Sequence, residues 1–229
     1  MKEELDAISQ ISELIISDKG FEDVLRLMVN ITAQVMKSNI CSLMLLDEKK
    51  KVLEIKATQS VSEAYNKKPP IKLGEGVAGK VALEKKPMII PDVCNDPYYR
   101  NKEIAEKEGL CSLVSLPLMV RGKIVGVLNL YTSKPREFHD DDIKTLTTIA
   151  NQAAVVIENY RLLMESEFVK EELETRKKIE RAKGFLMTEY NINEEEAYRR
   201  IQKYSMNKQK SMKEVAEAVI LAWEMKKKI

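Results

Sequence analysis

Histidine is the scarcest informative residue in this sequence, with His139 alone among 229 positions. It lies between Phe138 and the acidic run Asp140–Asp142, a setting that reads as the start of a helix. One imidazole cannot build a conventional histidine metal site, and any serine–histidine or cysteine–histidine catalysis would have to use it. Cysteine is nearly as scarce. Cys41, Cys94 and Cys111 are odd in number, far apart and without a Cys-x-x-Cys spacing, which argues against a disulfide framework and against a thiolate zinc site. No apolar run approaches the ~18 residues of a membrane span. The first twenty residues mix acids into their apolar positions and offer no small-residue cleavage site, so they do not read as a signal peptide. The expectation is a cytoplasmic protein with no catalytic residue, no metal and no membrane partner.

Proline and glycine are missing from a long stretch. All seven prolines and seven of the eight glycines lie between Gly20 and Pro135, and from Arg136 to Ile229 only Gly184 interrupts. A region of strands and turns is therefore followed by an almost unbroken helical one. Charge divides in a similar place. Residues 170–229 hold 15 Lys/Arg against 11 Asp/Glu, so the overall charge of +2 hides a basic C-terminal part.

The first part opens with two helical patterns on either side of Asp18-Lys19-Gly20. One carries Leu5, Ile8, Ile11 and Ile15; the other carries Leu25, Met28, Val29, Thr32 and Met36. Ile40–Leu46 and Val52–Ala57, separated by a charged turn, read as a hairpin. Ile71–Leu73 leads into Gly74-Glu75-Gly76-Val77-Ala78-Gly79, and Val77–Leu83 reads as a short helix. Met88–Ile90 and Leu113–Val120 are further strands, and Arg121-Gly122-Lys123 turns into Ile124–Tyr131. The pattern is that of a central antiparallel sheet flanked by helices, an α/β (α+β) class.

Three stretches, GEGVAGKVALEKKPMIIPDV, SLVSLPLMVRGKIVGVLNLY and the run from Phe138 through HDDD to IENYRLL, resemble a GAF domain over about residues 4–164. The glycine-rich loop lacks the Lys-Ser/Thr of a P-loop and reads as a structural turn. The resemblance implies a small-molecule-sensing module whose ligand lies between the sheet and a cover, here Ser60–Tyr65 and Pro91–Leu110. Cys94, Asn95, Asp96, Tyr98, Tyr99 and Cys111 are its pocket candidates. Thr132-Ser133 stands where cyclic-nucleotide members have Asn-Lys, and Ile143 where they have Glu, so cyclic-nucleotide binding is not implied. The ligand is unidentified and no cofactor is assigned. Because some GAF proteins reduce free methionine sulfoxide with pocket cysteines, a GAF enzyme with a helical dimerisation tail is one alternative.

In the C-terminal part, Asn193 three residues before Glu196 and Ser211 three before Glu214 each match a capping box, placing helix starts near 194 and 212. Ala197, Ile201 and Tyr204 on one helix, and Met212, Val215, Ala216, Val219 and Trp223 on the next, read as core. A bundle of this size buries only ~60% of its unfolded surface and is marginal alone. From Leu146, the positions Ala150, Ala153, Ile157, Tyr160 and Met164 follow four–three spacing, and Leu173 lies in a resumed pattern beyond a slip. Two readings stand: a seam along a long connecting helix of about 140–190 that makes a parallel homodimer, or helices that pack on their own domains.

Residues 197–213 carry Arg199, Arg200, Lys203, Lys208, Lys210 and Lys213 with no acidic residue, interleaved with Tyr204, Asn207, Gln209 and Ser211. Cations attract phosphates, while Tyr, Asn and Gln stack on or bond to unpaired bases. RKKIERAKGFLM, EEEAYRRIQKYSM and SMKEVAEAVI resemble an ANTAR domain, an all-α three-helix RNA-binding module of bacterial transcription antiterminators. Ser205 departs from the alanine common in that family. The resemblance implies RNA hairpins as partner, with Arg176, Lys183, Arg199, Arg200, Lys203, Tyr204, Asn207, Lys208, Lys210 and Ser211 as contacts, and Gly184 as a point of close helix approach. The expected division is a GAF sensory domain at 1–164 and an ANTAR domain at 165–229. The implied function is a signal-responsive antiterminator; a DNA-binding regulator using the same basic face is the other alternative.

Overall fold

The computed structural model describes residues 2–15, 17 and 19–227, without the side chains of residues 2–5, 8, 15 and 227. The side chains of the apolar positions Leu5, Ile8 and Ile15, together with the turn residue Asp18 and the outer domain ends Met1 and Ile229, fall outside what is described. The chain divides into two compact units, residues 1–160 and 161–229.

In the first unit, α1 (Lys2–Ile15) and α2 (Phe21–Val35) precede β1 (Ile40–Asp47) and β2 (Val52–Thr58). Then come α3 (Glu63–Asn66), β3 (Ile71–Lys72), α4 (Gly76–Glu84), β4 (Met88–Ile90), α5 (Lys102–Lys107), β5 (Ser112–Val120) and β6 (Lys123–Thr132). The six strands form one sheet in the order β3-β2-β1-β6-β5-β4, with each neighbouring pair antiparallel. The fold class is the α/β arrangement that the sequence pattern gives.

Strand alternation sends side chains to two separate cores. Cys41 and Leu43 of β1, Val114, Leu116 and Leu118 of β5, and Leu128 and Leu130 of β6 pack with Leu25, Met28 and Val29 of α2. Ile40, Met44, Leu113, Val127 and Tyr131 point the other way, onto Tyr65, Val77, Ala78, Val81 and Tyr99. Each fully buried leucine contributes about 1.5–3 kcal/mol. The glycine-rich loop is structural as expected: Gly74 and Gly76 have positive φ, and a Cβ at Gly79 would collide with the Lys72 carbonyl oxygen.

The helix α6 (Asp140–Tyr190) has 51 residues. Its early part corrects the seam expectation. Ala150, Ala153 and Ile157 are buried in the α2 core, so they pack on their own domain instead of facing a second chain. Four–three spacing marks a buried stripe in either case. Tyr160, still exposed, stacks on Phe21 with ring centroids 4.0 Å apart.

The second unit is helical: the later part of α6, α7 (Glu194–Lys208) and α8 (Met212–Lys227). Both helix starts match the capping signals. Asn193 accepts from the Glu196 amide at 2.9 Å, and Ser211 and Glu214 cap each other reciprocally. Ala182, Ile201, Val215 and Ala216 form a small buried cluster, with Ile179, Leu186, Met212, Val219 and Ile220 against it. Trp223 stacks on Phe185, centroids 5.1 Å apart. Gly184 is a correction: no atom lies within 4 Å of where its Cβ would be, so it permits no close helix approach.

Candidate functional site

The helical unit presents its basic residues in a sequence-built setting. The left-handed Gln209 ends α7, and the Lys210 amide donates to the Ser205 carbonyl oxygen at 3.0 Å. The Ser205 hydroxyl then donates to the Lys210 carbonyl oxygen at 2.6 Å. The hydroxyl that departs from the family alanine thus closes the turn. Around it Lys203, Tyr204, Asn207, Lys208 and Lys210 are exposed.

Their charges are not equally available. Arg199 pairs with Glu195 at 2.6 Å, Arg200 with Glu196 at 3.3 Å, and Lys210 with Glu214 at 3.4 Å. No ion pair is found for Lys203, Lys208 or Arg176 among the described residues. Surface pairs of this kind contribute ~0–1 kcal/mol and yield readily to a phosphate. Ser211 is committed to its cap, its amide donating to Glu214 Oε2 at 2.8 Å.

Lys183 corrects the surface reading. Its side chain is 7% exposed and pairs with Glu180 and Glu194, each at 2.7 Å. Those two carboxylates hold its amine above the usual lysine range, and Lys183 holds Glu194 below the usual carboxylate range. Lys183 therefore ties α6 to the start of α7. The sequence reading missed Tyr190, which is exposed and lies under the Arg200 guanidinium, 5.1 Å from ring centroid to Cζ. Tyr190, Arg200 and Tyr204 line a groove of about 520 Å3 floored by Leu186, Ile201 and Val219.

In the sheet unit, a cavity of about 30 Å3 lies on the Tyr131 side of the sheet, against the start of α4. Of the pocket candidates, Tyr99 lines it; Cys94, Asn95, Asp96, Tyr98 and Cys111 do not. Asn95 and Asp96 shape the loop instead. Asn95 donates to Asp92 at 2.7 Å, and Asp96 accepts from the amides of Tyr98 and Tyr99 at 2.8 and 3.0 Å. Tyr98 is exposed beneath Lys80. All three cysteines are free thiols; burial pushes Cys41 far up and Cys94 up as well, the opposite of what a nucleophilic thiolate needs.

The cavity residues that the sequence reading missed are Lys68, Asn129, Tyr131 and the first turn of α4. Lys68 Nζ lies 3.6 Å from the Tyr65 ring centroid and 5.4 Å from that of Tyr131. Burial presses its amine down to about 7, with Glu108 opposing. Ser42 and Tyr65 share a hydrogen bond at 2.9 Å, and Ser115 donates to Asn129 at 2.7 Å. No single stretch announces this group, because its members meet only through the fold.

Comparison with known proteins fits this geometry. Residues 18–158 match the GAF domain family and residues 167–220 the ANTAR domain family. The methyl sulfide methyltransferase-associated sensor of Methanosarcina acetivorans is 28% identical over 66% of this chain and 16% of its own length. The transcriptional regulatory protein PdtaR of Mycobacterium tuberculosis is 48% identical over 22% of this chain and 24% of its own. The chain thus spans a quarter or less of the length of these relatives. The GAF domain of a phosphoenolpyruvate-protein phosphotransferase from Coxiella burnetii superposes with a TM-score of 0.66 at 22% identity, covering 72% of this chain and 98% of that one. No helix among the described residues is long and apolar enough to cross a membrane.

Proposed function

Since this chain belongs to the GAF family, with an ANTAR domain following the GAF domain, we propose that it is a signal-responsive transcription antiterminator that binds hairpins in nascent RNA. The GAF domain, residues 1–164, holds a small molecule; the ANTAR domain, residues 165–229, holds the RNA. Stabilising a hairpin keeps a terminator from forming, so transcription continues. The mechanism is binding, without a covalent step. A ligand controls it only by favouring one of two conformations of the chain.

The observation that carries this reading is the exposed run Lys203, Tyr204, Asn207, Lys208 and Lys210 around a hydrogen-bonded turn. Lysines there meet phosphates, and Tyr204, with Tyr190 across the groove, offers ring faces to unpaired bases. A buried duplex edge could not use those faces, which favours RNA loops over the DNA-binding alternative. The raised thiols of Cys41 and Cys94 weigh against the reductase alternative. Exposed Met164, Phe168, Val169 and Leu173 on α6 support a homodimer through the later part of that helix.

The test is binding of the full chain to a pool of small-loop RNA hairpins, with duplex DNA as competitor and salt varied. Four to six cations on single-stranded phosphates give a log–log salt slope of roughly −3 to −4. Tyr204→Ala should cost about 1–3 kcal/mol if one base stacks there. Lys208→Ala should weaken binding without changing stability. Lys183→Ala should lower the thermal stability of the helical unit and leave the affinity of the folded protein nearly unchanged. Equal competition by duplex DNA would sink the RNA reading.

A further inference from the structure

The cavity beside α4 gathers positive and hydrogen-donating groups and no acid. Its lining contains Lys68 and Arg100 but no aspartate or glutamate. Gly76, Val77 and Ala78, the opening residues of the nine-residue α4, also line it. The first amides of a helix have no acceptor within the helix, and the N-cap residue Glu75 supplies no side-chain bond to them. They therefore present partial positive charge.

A second observation is independent of that helix end. The Tyr99 hydroxyl is buried, lines the same cavity and makes no hydrogen bond within 3.5 Å among the described residues, with the Tyr131 side chain as its polar neighbour. A buried donor without an acceptor costs about 1–3 kcal/mol, so its persistence needs an occupant that accepts. Burial pushes the phenols of Tyr65, Tyr99 and Tyr131 upward, which keeps all three protonated as donors. Lys68 lies over the Tyr65 ring, and no ion pair is found for it among the described residues.

We infer that this cavity receives the carboxylate end of a small organic acid, held by the first-turn amides of α4, the Lys68 ammonium and the Tyr99 hydroxyl. Charge selects among anions: Lys68 is the more enclosed of the two cations in the lining, Arg100 being 66% exposed, and one enclosed ammonium balances a singly charged carboxylate but not a phosphate dianion. The body of the acid leaves past Arg100 and Asn101. The inference rests on the reading of the GAF domain as a ligand sensor and names the chemistry of its ligand.

Binding would carry a proton with it. The Lys68 amine, at about 7, is mostly neutral at pH 8, and a carboxylate beside it favours the charged form. The other ionisable groups that face this amine or the cavity are Tyr65 on α3, Tyr131 on β6, Tyr99 and Arg100 before α5, and Glu108 after it. Burial keeps the tyrosines neutral at this pH. Glu108 accepts a hydrogen bond from the Ser62 hydroxyl. Lys68 is therefore the group left to take up the proton.

The experiment is isothermal titration of the full chain at pH 8 with acetate, pyruvate, succinate and benzoate. Acetamide and succinamide serve as neutral controls and inorganic phosphate as the dianionic one, in two buffers of different ionisation enthalpy. At least one acid should bind with net proton uptake, and its amide and phosphate should not. Lys68→Met should abolish the uptake and weaken binding at least tenfold, while Lys68→Arg keeps affinity without uptake. Tyr99→Phe should weaken binding and retain the uptake. Binding by no acid, equal binding of amides, preference for phosphate, or indifference to Lys68→Met would each overturn the inference. Hairpin binding, measured separately, would be untouched by such a failure.

Discussion

Single residues here change their meaning with burial. Lys183 and Lys208 are both lysines in a basic segment, yet one is enclosed between two glutamates and the other is exposed. Only the coordinates separate a structural ammonium from one free to meet phosphate, because both readings fit the same motif. Lys68 is the inverse case, a lysine in an undistinguished turn that the fold draws over two tyrosine rings. Its amine, pressed from the ordinary 10.5 to about 7, makes folding sensitive to pH. Above pH 7 the unfolded chain binds a proton there that the folded chain lacks, so stability should rise with pH. The melting temperature should climb from pH 7 to pH 8.5, below the range where thiol ionisation dominates. Lys68→Met should flatten that climb and raise the melting temperature at pH 7, as read by circular dichroism.

At the scale of elements, strands and caps were legible because their causes are local. The two long hairpins alternate apart from one register shift in each, and Asn193 and Ser211 mark helix starts by their own side chains. The short α3, β3 and α5 have too few residues to show a period, and the cavity they enclose draws on Tyr65, Tyr99 and Tyr131 from three distant segments. The stripe on α6 was visible but ambiguous, since packing on a sheet and pairing with a second helix ask for the same spacing. Two substitutions separate its halves. Ala153→Leu should overpack the core beneath α6 and cost about 1–3 kcal/mol in denaturant unfolding. Leu173→Glu, at an exposed site, should leave that stability alone and shift sedimentation toward the monomer.

For the molecule as a whole, the disproportion between the two units is the main physical fact. One has large cores on both faces of a six-stranded sheet; the other rests on Ala182, Ile201, Val215, Ala216 and their partly buried neighbours. Scanning calorimetry of the full chain should resolve two endotherms, the smaller at lower temperature, and Lys183→Ala should move only that one. A single merged transition would mean that the helical unit is stabilised from outside its own core.

The Phe185–Trp223 stack has one more consequence. Trp223 is the sole tryptophan in the chain, and it belongs to the helical unit. Light at the red edge of protein absorption therefore excites that unit and leaves the tyrosines of the sheet unit dark. The chain carries its own optical label in the unit that is proposed to bind RNA, and its emission can be followed without attaching a dye.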